Sequence, residues 1–150
     1  MTVVVGQQGS NGGCGGSFVS LNKTVIIVAG GGGRDSNLKA KRKDKTKNGG
    51  KCCLIRGGGG GVNENGKIGI RRINSAKSFE NGADGGVADN SDAHFGGFGG
   101  GGYCGGGGGF FGGNADFGAS GNGSCFSIGE APHVEFKSIS DGKCIITSLD

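Results

Sequence analysis

Short apolar runs rich in β-branched residues recur along the chain, separated by glycine-rich or polar stretches. Runs at 2–5, 18–21, 24–29, 52–55, 68–73, 125–128, 134–139 and 144–147 are each four to six residues long, which predicts short β-strands. No stretch repeats apolar residues at the spacing of an amphipathic helix, so little or no α-helix is expected. Near the C-terminus Val134 and Phe136 alternate with Glu135 and Lys137, and Ser140-Asp141-Gly142 supplies a turn, so residues 133–148 read as a β-hairpin.

The intervals between the runs are unusual. One holds Gly30, Gly31, Gly32 and Gly33, and a second holds Gly57, Gly58, Gly59, Gly60 and Gly61. A third, 96–113, is glycine at 13 of 18 positions and includes Gly99, Gly100, Gly101, Gly102, Gly105, Gly106, Gly107, Gly108 and Gly109. In all, 40 of 150 residues are glycine, against about 7 per cent in ordinary chains. Collagen is excluded, because Pro132 is the single proline and no three-residue glycine period exists. Leu, Ile, Val and Phe together number 32, which leaves little for a conventional core. Composition alone therefore leaves a flexible linker or a fold packed from glycine backbone. Serine is absent from the three tracts, and the long one carries Phe98, Tyr103, Cys104, Phe110 and Phe111, which a solvated spacer has no reason to contain. The tracts read as folded.

Polyglycine can adopt an extended helix of about three residues per turn with no internal hydrogen bonds, its peptide groups projecting in three directions. Only glycine lets such helices approach closely enough to bond laterally, each backbone group finding a partner on a neighbour. A glycine costs about 0.5–1 kcal/mol relative to alanine when ordered, so this many make sense only if most are packed.

Charge and chemistry change the picture less. Net charge is +4, yet the segment 34–51 alone contributes +6 and the remainder −2. The basic run Lys39, Lys41, Arg42, Lys43, Lys45 and Lys47 reads as a solvated insertion loop, with an acidic glycan or acidic protein as the alternative partner. The aromatics of the long tract have no interleaved Lys or Arg, so they read as wedges between glycine segments, not as a nucleic-acid stacking surface. No run approaches the length of a membrane span, and the N-terminus lacks the pattern of a signal peptide. Direct membrane contact is not expected.

Six cysteines, Cys14, Cys52, Cys53, Cys104, Cys125 and Cys144, are scattered with no CxxC pair, so no metal site is expected. Disulfides are the preferred reading, with about fifteen pairings open, and buried free thiols the alternative. Residues 61–67 match the front of a phosphate-binding loop, but Ile68 stands where a magnesium-binding hydroxyl belongs. Asp116-Phe117-Gly118 spells a kinase tripeptide without the other kinase motifs, and His94 and His133 have no nucleophile and acid arranged around them. No catalytic residue and no cofactor are expected.

Val3-Val4-Val5-Gly6-Gln7-Gln8-Gly9 is followed by Val25-Ile26-Ile27-Val28-Ala29 running into four glycines and Arg34. Then come Ala76-Lys77-Ser78-Phe79-Glu80-Asn81-Gly82-Ala83-Asp84-Gly85-Gly86 and Phe98 with glycine tracts ending in Gly112-Gly113-Asn114-Ala115. This ordered set, over roughly residues 3–128, resembles the extracellular glycine-rich domain of the anaplastic lymphoma kinase and leukocyte tyrosine kinase receptors. The resemblance implies polyglycine helices bundled beside a β-sandwich, a cytokine-like protein ligand, dimerisation, and an oxidising compartment in which cysteines pair. The basic insert at 35–51 departs from the family pattern, as does the Gly-, Ser-, Ala- and Asn-rich stretch 114–126, where the receptors are acidic. No ligand-contact residue is carried over.

The expectation is one all-β glycine-rich domain over 1–150, a β-sandwich-like unit packed with polyglycine II helices, with a basic loop at 34–51 and a hairpin at 133–148. Functionally it is expected to be a non-catalytic, ligand-binding part of a receptor ectodomain, extracellular or at the cell surface, a fragment or truncated relative of the whole receptor. The alternative is a stand-alone surface or secreted adhesive protein, comparable to the glycine-sandwich tips of some phage fibre adhesins.

Overall fold

The computed structural model describes residues 1–34, 48–52, 57–68, 72–88, 95–102, 105–116, 119–129 and 144–145. Its strands are β1 (Thr2–Val4), β2 (Ser17–Leu21), β3 (Thr24–Ala29), β4 (Arg72–Asn74), β5 (Val87–Ala88), β6 (Ala115–Asp116), β7 (Ala119–Ser120) and β8 (Phe126–Ser127). The described residues contain no helix. An antiparallel sheet in the order β1-β2-β3-β8 is accompanied by two two-stranded ribbons, β4-β5 and β6-β7.

β2 and β3 form a hairpin because Asn22 and Lys23 both take positive φ, 48° and 67°, the conformation a two-residue turn needs to match strand twist. Leu21 and Thr24 close it. Asparagine tolerates this region; lysine carries a steric cost there. The ladder then slips. Ser20 pairs with Val25 and Val19 with Ile27, which leaves Ile26 without a cross-strand partner. Such a bulge resets the alternation of faces. Val25 and Val28, three residues apart, thus both face inward at 8 and 2 per cent exposure, while Ile27 stays 46 per cent exposed.

One face of the sheet carries the apolar core. Phe18, Val25 and Val28 pack with Val62 and Phe110, flanked by Val4, Phe79 and Phe126. The Phe18 and Phe79 rings stack with centroids 5.0 Å apart, and those of Phe110 and Phe126 at 4.1 Å. Val62 directly follows the glycine run 57–61 and Phe110 the run 105–109, so the same cluster that buries the sheet anchors the ends of two glycine segments.

Several predicted strands come out differently. Of the run 68–73, Arg72 and Ile73 belong to β4, Ile68 is exposed and outside a strand, and 69–71 lie outside the described residues. Of the run 52–55, Cys52 is not in a strand and the rest lies outside the described residues, as does nearly all of the hairpin at 133–148, whose Cys144 and Ile145 carry no strand. β5, β6 and β7 are two residues each and too short to show apolar alternation; β5 is brought into register by β4, and β6 and β7 pair with each other.

Two outcomes check this account by thermal or denaturant unfolding. Phe18→Ala should cost about 3–5 kcal/mol, as expected of a buried aromatic. Lys23→Gly should stabilise the protein by about 1 kcal/mol by removing the left-handed strain.

Candidate functional site

The largest structural feature outside the sheet is a network of backbone hydrogen bonds among glycine segments. Its direction rotates with a three-residue period. The N–H groups of Gly57 and Gly60 donate to the carbonyls of Gly102 and Gly99, at 3.4 and 2.6 Å. Those of Gly58 and Gly61 reach Lys67 and Glu64 at 3.0 and 2.9 Å, and those of Gly59 and Val62 reach Gly113 and Phe110 at 2.9 and 3.1 Å. Each neighbouring segment is met again after three residues, running in the opposite direction. From the central segment 105–109, Gly106 and Gly109 donate to Gly57 and Gly60 at 3.1 and 3.2 Å, running in the same direction. Gly107 turns to Gly121 at 3.0 Å and Gly108 to Cys14 at 3.0 Å.

Most of these glycines are required by proximity and not by backbone conformation. Among the described glycines only Gly82 and Gly99 have φ in the left-handed region. Instead, a Cβ on Gly59 would run into the carbonyl of Gly107, and one on Gly107 into that of Gly31. An added methyl has no flexible side chain to displace at these points. It meets backbone that is itself held by other segments.

Asparagines clasp the ends of the tracts. Asn122 Oδ1 accepts from the N–H of Gly33 at 2.8 Å, and Asn114 Oδ1 accepts from that of Lys51 at 2.8 Å. Asn65 Oδ1 takes the Ser78 N–H at 2.9 Å and the Asn81 side-chain amide at 3.0 Å. Ser124 closes a fourth point, its hydroxyl accepting from Phe111 N–H at 2.8 Å while its carbonyl accepts from Phe110 N–H at 2.9 Å. None of these residues is assigned a clasping role from sequence. Their one signal is that Asn65, Asn114 and Asn122 each adjoin a glycine where a tract or turn ends.

The tracts at 30–33, 57–61, 99–102 and 105–109 are thus drawn together in one network. Of the disulfide candidates, Cys14, Cys52, Cys125 and Cys144 are free thiols; Cys53 and Cys104 lie outside the described residues. The Cys125 sulfur accepts from Gly30 N–H at 3.3 Å, and Cys52 donates to the Ile68 carbonyl at 3.2 Å. The loop resembling a phosphate cradle has its amides committed internally: Gly61 to Glu64, Gly66 to Ala76 and Lys67 to Gly50. Asp116 sits in β6 opposite Ala119. His94, His133 and the basic residues 39–47 lie outside the described residues. Among the described residues no group of three His, Cys, Asp or Glu could hold a metal, and no helix is long and apolar enough to cross a membrane.

An open groove of about 440 Å³ runs beside β1, lined by Val3, Val4, Val5, Gly6, Gln7, Gly82 and Phe98. It contains no charged, nucleophilic or metal-ligating side chain. Such a lining can hold an uncharged segment by backbone hydrogen bonds and apolar contact. No protein-family model matches this sequence, and no characterised protein matches it.

Neighbouring glycines give a sharp test of packing. On Gly31 a Cβ would strike the carbonyl of Cys14, whereas on Gly32 its nearest neighbour is Asn122 Oδ1 at an ordinary 3.7 Å. Gly31→Ala should therefore cost several kcal/mol, and Gly32→Ala should stay within about 0.5 kcal/mol of the parent or gain slightly by restricting the unfolded chain. Urea unfolding of the two variants measures the contrast.

Proposed function

We propose that this chain is a non-catalytic glycine-lattice domain that binds a protein partner, of the kind found in the ectodomains of the receptor tyrosine kinases it resembles. The tracts 57–61 and 105–109 are polyglycine II helices, bundled laterally and joined through Val62 and Phe110 to a β-sandwich-like unit. The observation that carries the lattice is the three-residue rotation of hydrogen-bond direction, in which Gly57 and Gly60 return to one neighbour, Gly58 and Gly61 to a second, Gly59 and Val62 to a third. A three-residue-per-turn helix without internal bonds produces that rotation, and a flat strand, with its period of two, does not.

Such a lattice suits binding better than chemistry. Its interior is backbone already committed to backbone, so it offers no side chain to a substrate, but it holds the connecting loops on a stiff base. Loops placed on a rigid scaffold are where recognition concentrates. In the receptor reading the partner is a cytokine-like protein, the location is extracellular or at the cell surface, and the cysteines mature in an oxidising compartment, with pairing open to Cys53 and Cys104.

Two measurements test the reading separately. Gly107→Val and Gly59→Val should lower the melting temperature far beyond a surface change; unchanged melting would remove the lattice. For the partner, the folded chain on a biosensor surface should bind the cytokine-like ligands of that receptor family saturably, and Gly107→Val should abolish this by unfolding. A stable wild-type chain that binds none of them would favour the stand-alone adhesive role instead.

A further inference from the structure

The sequence holds two Asn-x-Ser/Thr sequons, the acceptor pattern for N-linked glycans: Asn22-Lys23-Thr24 and Asn122-Gly123-Ser124. In a chain this rich in asparagine and serine such matches carry little by themselves, and only the fold tells the two apart. Transfer of a sugar needs the asparagine side-chain nitrogen and the hydroxyl two residues on to be reachable together, and the finished fold must leave room for the glycan.

The first sequon is the turn of the β2–β3 hairpin. Asn22, Lys23 and Thr24 are all exposed, and Leu21 beside them is 51 per cent exposed. Among the described residues neither the Asn22 side-chain amide nor the Thr24 hydroxyl has a hydrogen-bond partner. Asn22 takes a positive φ of 48°, which asparagine tolerates. None of the backbone bonds that join the glycine segments involves residues 21–24. A glycan at this tip extends into solvent and displaces nothing.

The second sequon is built into the network at all three positions. Asn122 is half-buried, with Gly123 and Ser124 buried beside it. Asn122 Oδ1 accepts from Gly33 N–H at 2.8 Å, and Gly123 N–H donates to the Gly31 carbonyl at 2.8 Å. Ser124, 6 per cent exposed, accepts from Phe111 N–H through its hydroxyl and donates its own N–H to the Phe111 carbonyl at 2.9 Å. An oligosaccharide on Asn122 would have to leave from among these contacts, so a chain carrying one there does not reach this structure.

We propose that Asn22 is an N-glycosylation site of this protein and that Asn122, despite its sequon, is not. The donor is a lipid-pyrophosphate-linked oligosaccharide, and the catalyst is the oligosaccharyltransferase of the secretory pathway. The Asn22 amide nitrogen forms a bond to the anomeric carbon of the first sugar and gives up a proton. The bond from that carbon to the pyrophosphate oxygen breaks, and the lipid pyrophosphate leaves with the electron pair. The hydrophilic glycan then covers the hairpin tip and the exposed Leu21. This inference rests on the extracellular part of the proposed function, because donor and transferase meet a chain only in the lumen of that pathway.

The full chain placed behind a supplied signal peptide and expressed in cultured eukaryotic cells tests it whatever the native address. Enzymatic release of glycans in heavy-oxygen water converts each glycosylated asparagine to labelled aspartate, which peptide mass spectrometry reads site by site. Asn22 should be labelled and Asn122 unlabelled. The glycan-dependent gel shift should be lost in Asn22→Asp and in Thr24→Val and kept in Thr24→Ser. Aspartate also tolerates positive φ and valine suits a strand, so both shift-less variants should melt close to the deglycosylated parent. An unlabelled Asn22 in chain recovered from the lumen overturns the proposal, as does a labelled Asn122 in chain that still unfolds cooperatively. Neither result bears on the receptor reading, which fails separately if the glycosylated chain binds none of the cytokine-like ligands.

Discussion

Everything in this structure depends on backbone approaching backbone more closely than any side chain allows. Gly59 donates to Gly113 and accepts from Gly50, at 2.9 and 2.7 Å, while the space where its Cβ would stand is taken by Gly107. An ordinary core gains its stability by removing apolar side chains from water. Here a large part of the interior has no side chains at all. Its cohesion comes from satisfying peptide groups that would be costly to bury unpaired, together with the close contact of the segments that carry them.

The sheet and the glycine network are not separate bodies in energetic terms. Val62 and Phe110 emerge directly from glycine runs and enter the cluster with Phe18 and Val28. Each component covers a weakness of the other. The sheet has too few apolar residues to close a core alone, and glycine segments have no apolar surface with which to collapse. The bulge at Ile26 is part of this arrangement, since without it Val25 and Val28 would point to opposite faces and the cluster would lose one of them.

Interior and periphery differ in kind. In the interior, peptide groups are committed to other backbone, while the side chains that secure the network sit at the tract ends. The asparagine clasps at Asn65, Asn114 and Asn122 tie down those ends. The interior tolerates no added side chain at positions such as Gly59 and Gly107, whereas Gly32 has room for one.

Local pattern sufficed for β2, β3 and the all-β character, because alternation and β-branched runs act through neighbours in sequence. It also sufficed to show that Phe98, Phe110 and Phe111 did not belong in a linker. The two-residue strands and the clasping asparagines were not legible: β5 depends on β4, and Asn114 and Asn122 on Lys51 and Gly33 far along the chain, while β6 and β7, though close in sequence, are too short to show alternation. The same holds within the tracts. From sequence Gly31 and Gly32 are identical residues in an identical setting, yet one abuts the Cys14 carbonyl and the other has room for a methyl group. Composition together with the aromatic residues placed inside the tracts pointed to glycine backbone packed closely against something. Only tertiary structure decided what it approaches, because a residue without a side chain carries no local mark of its neighbour.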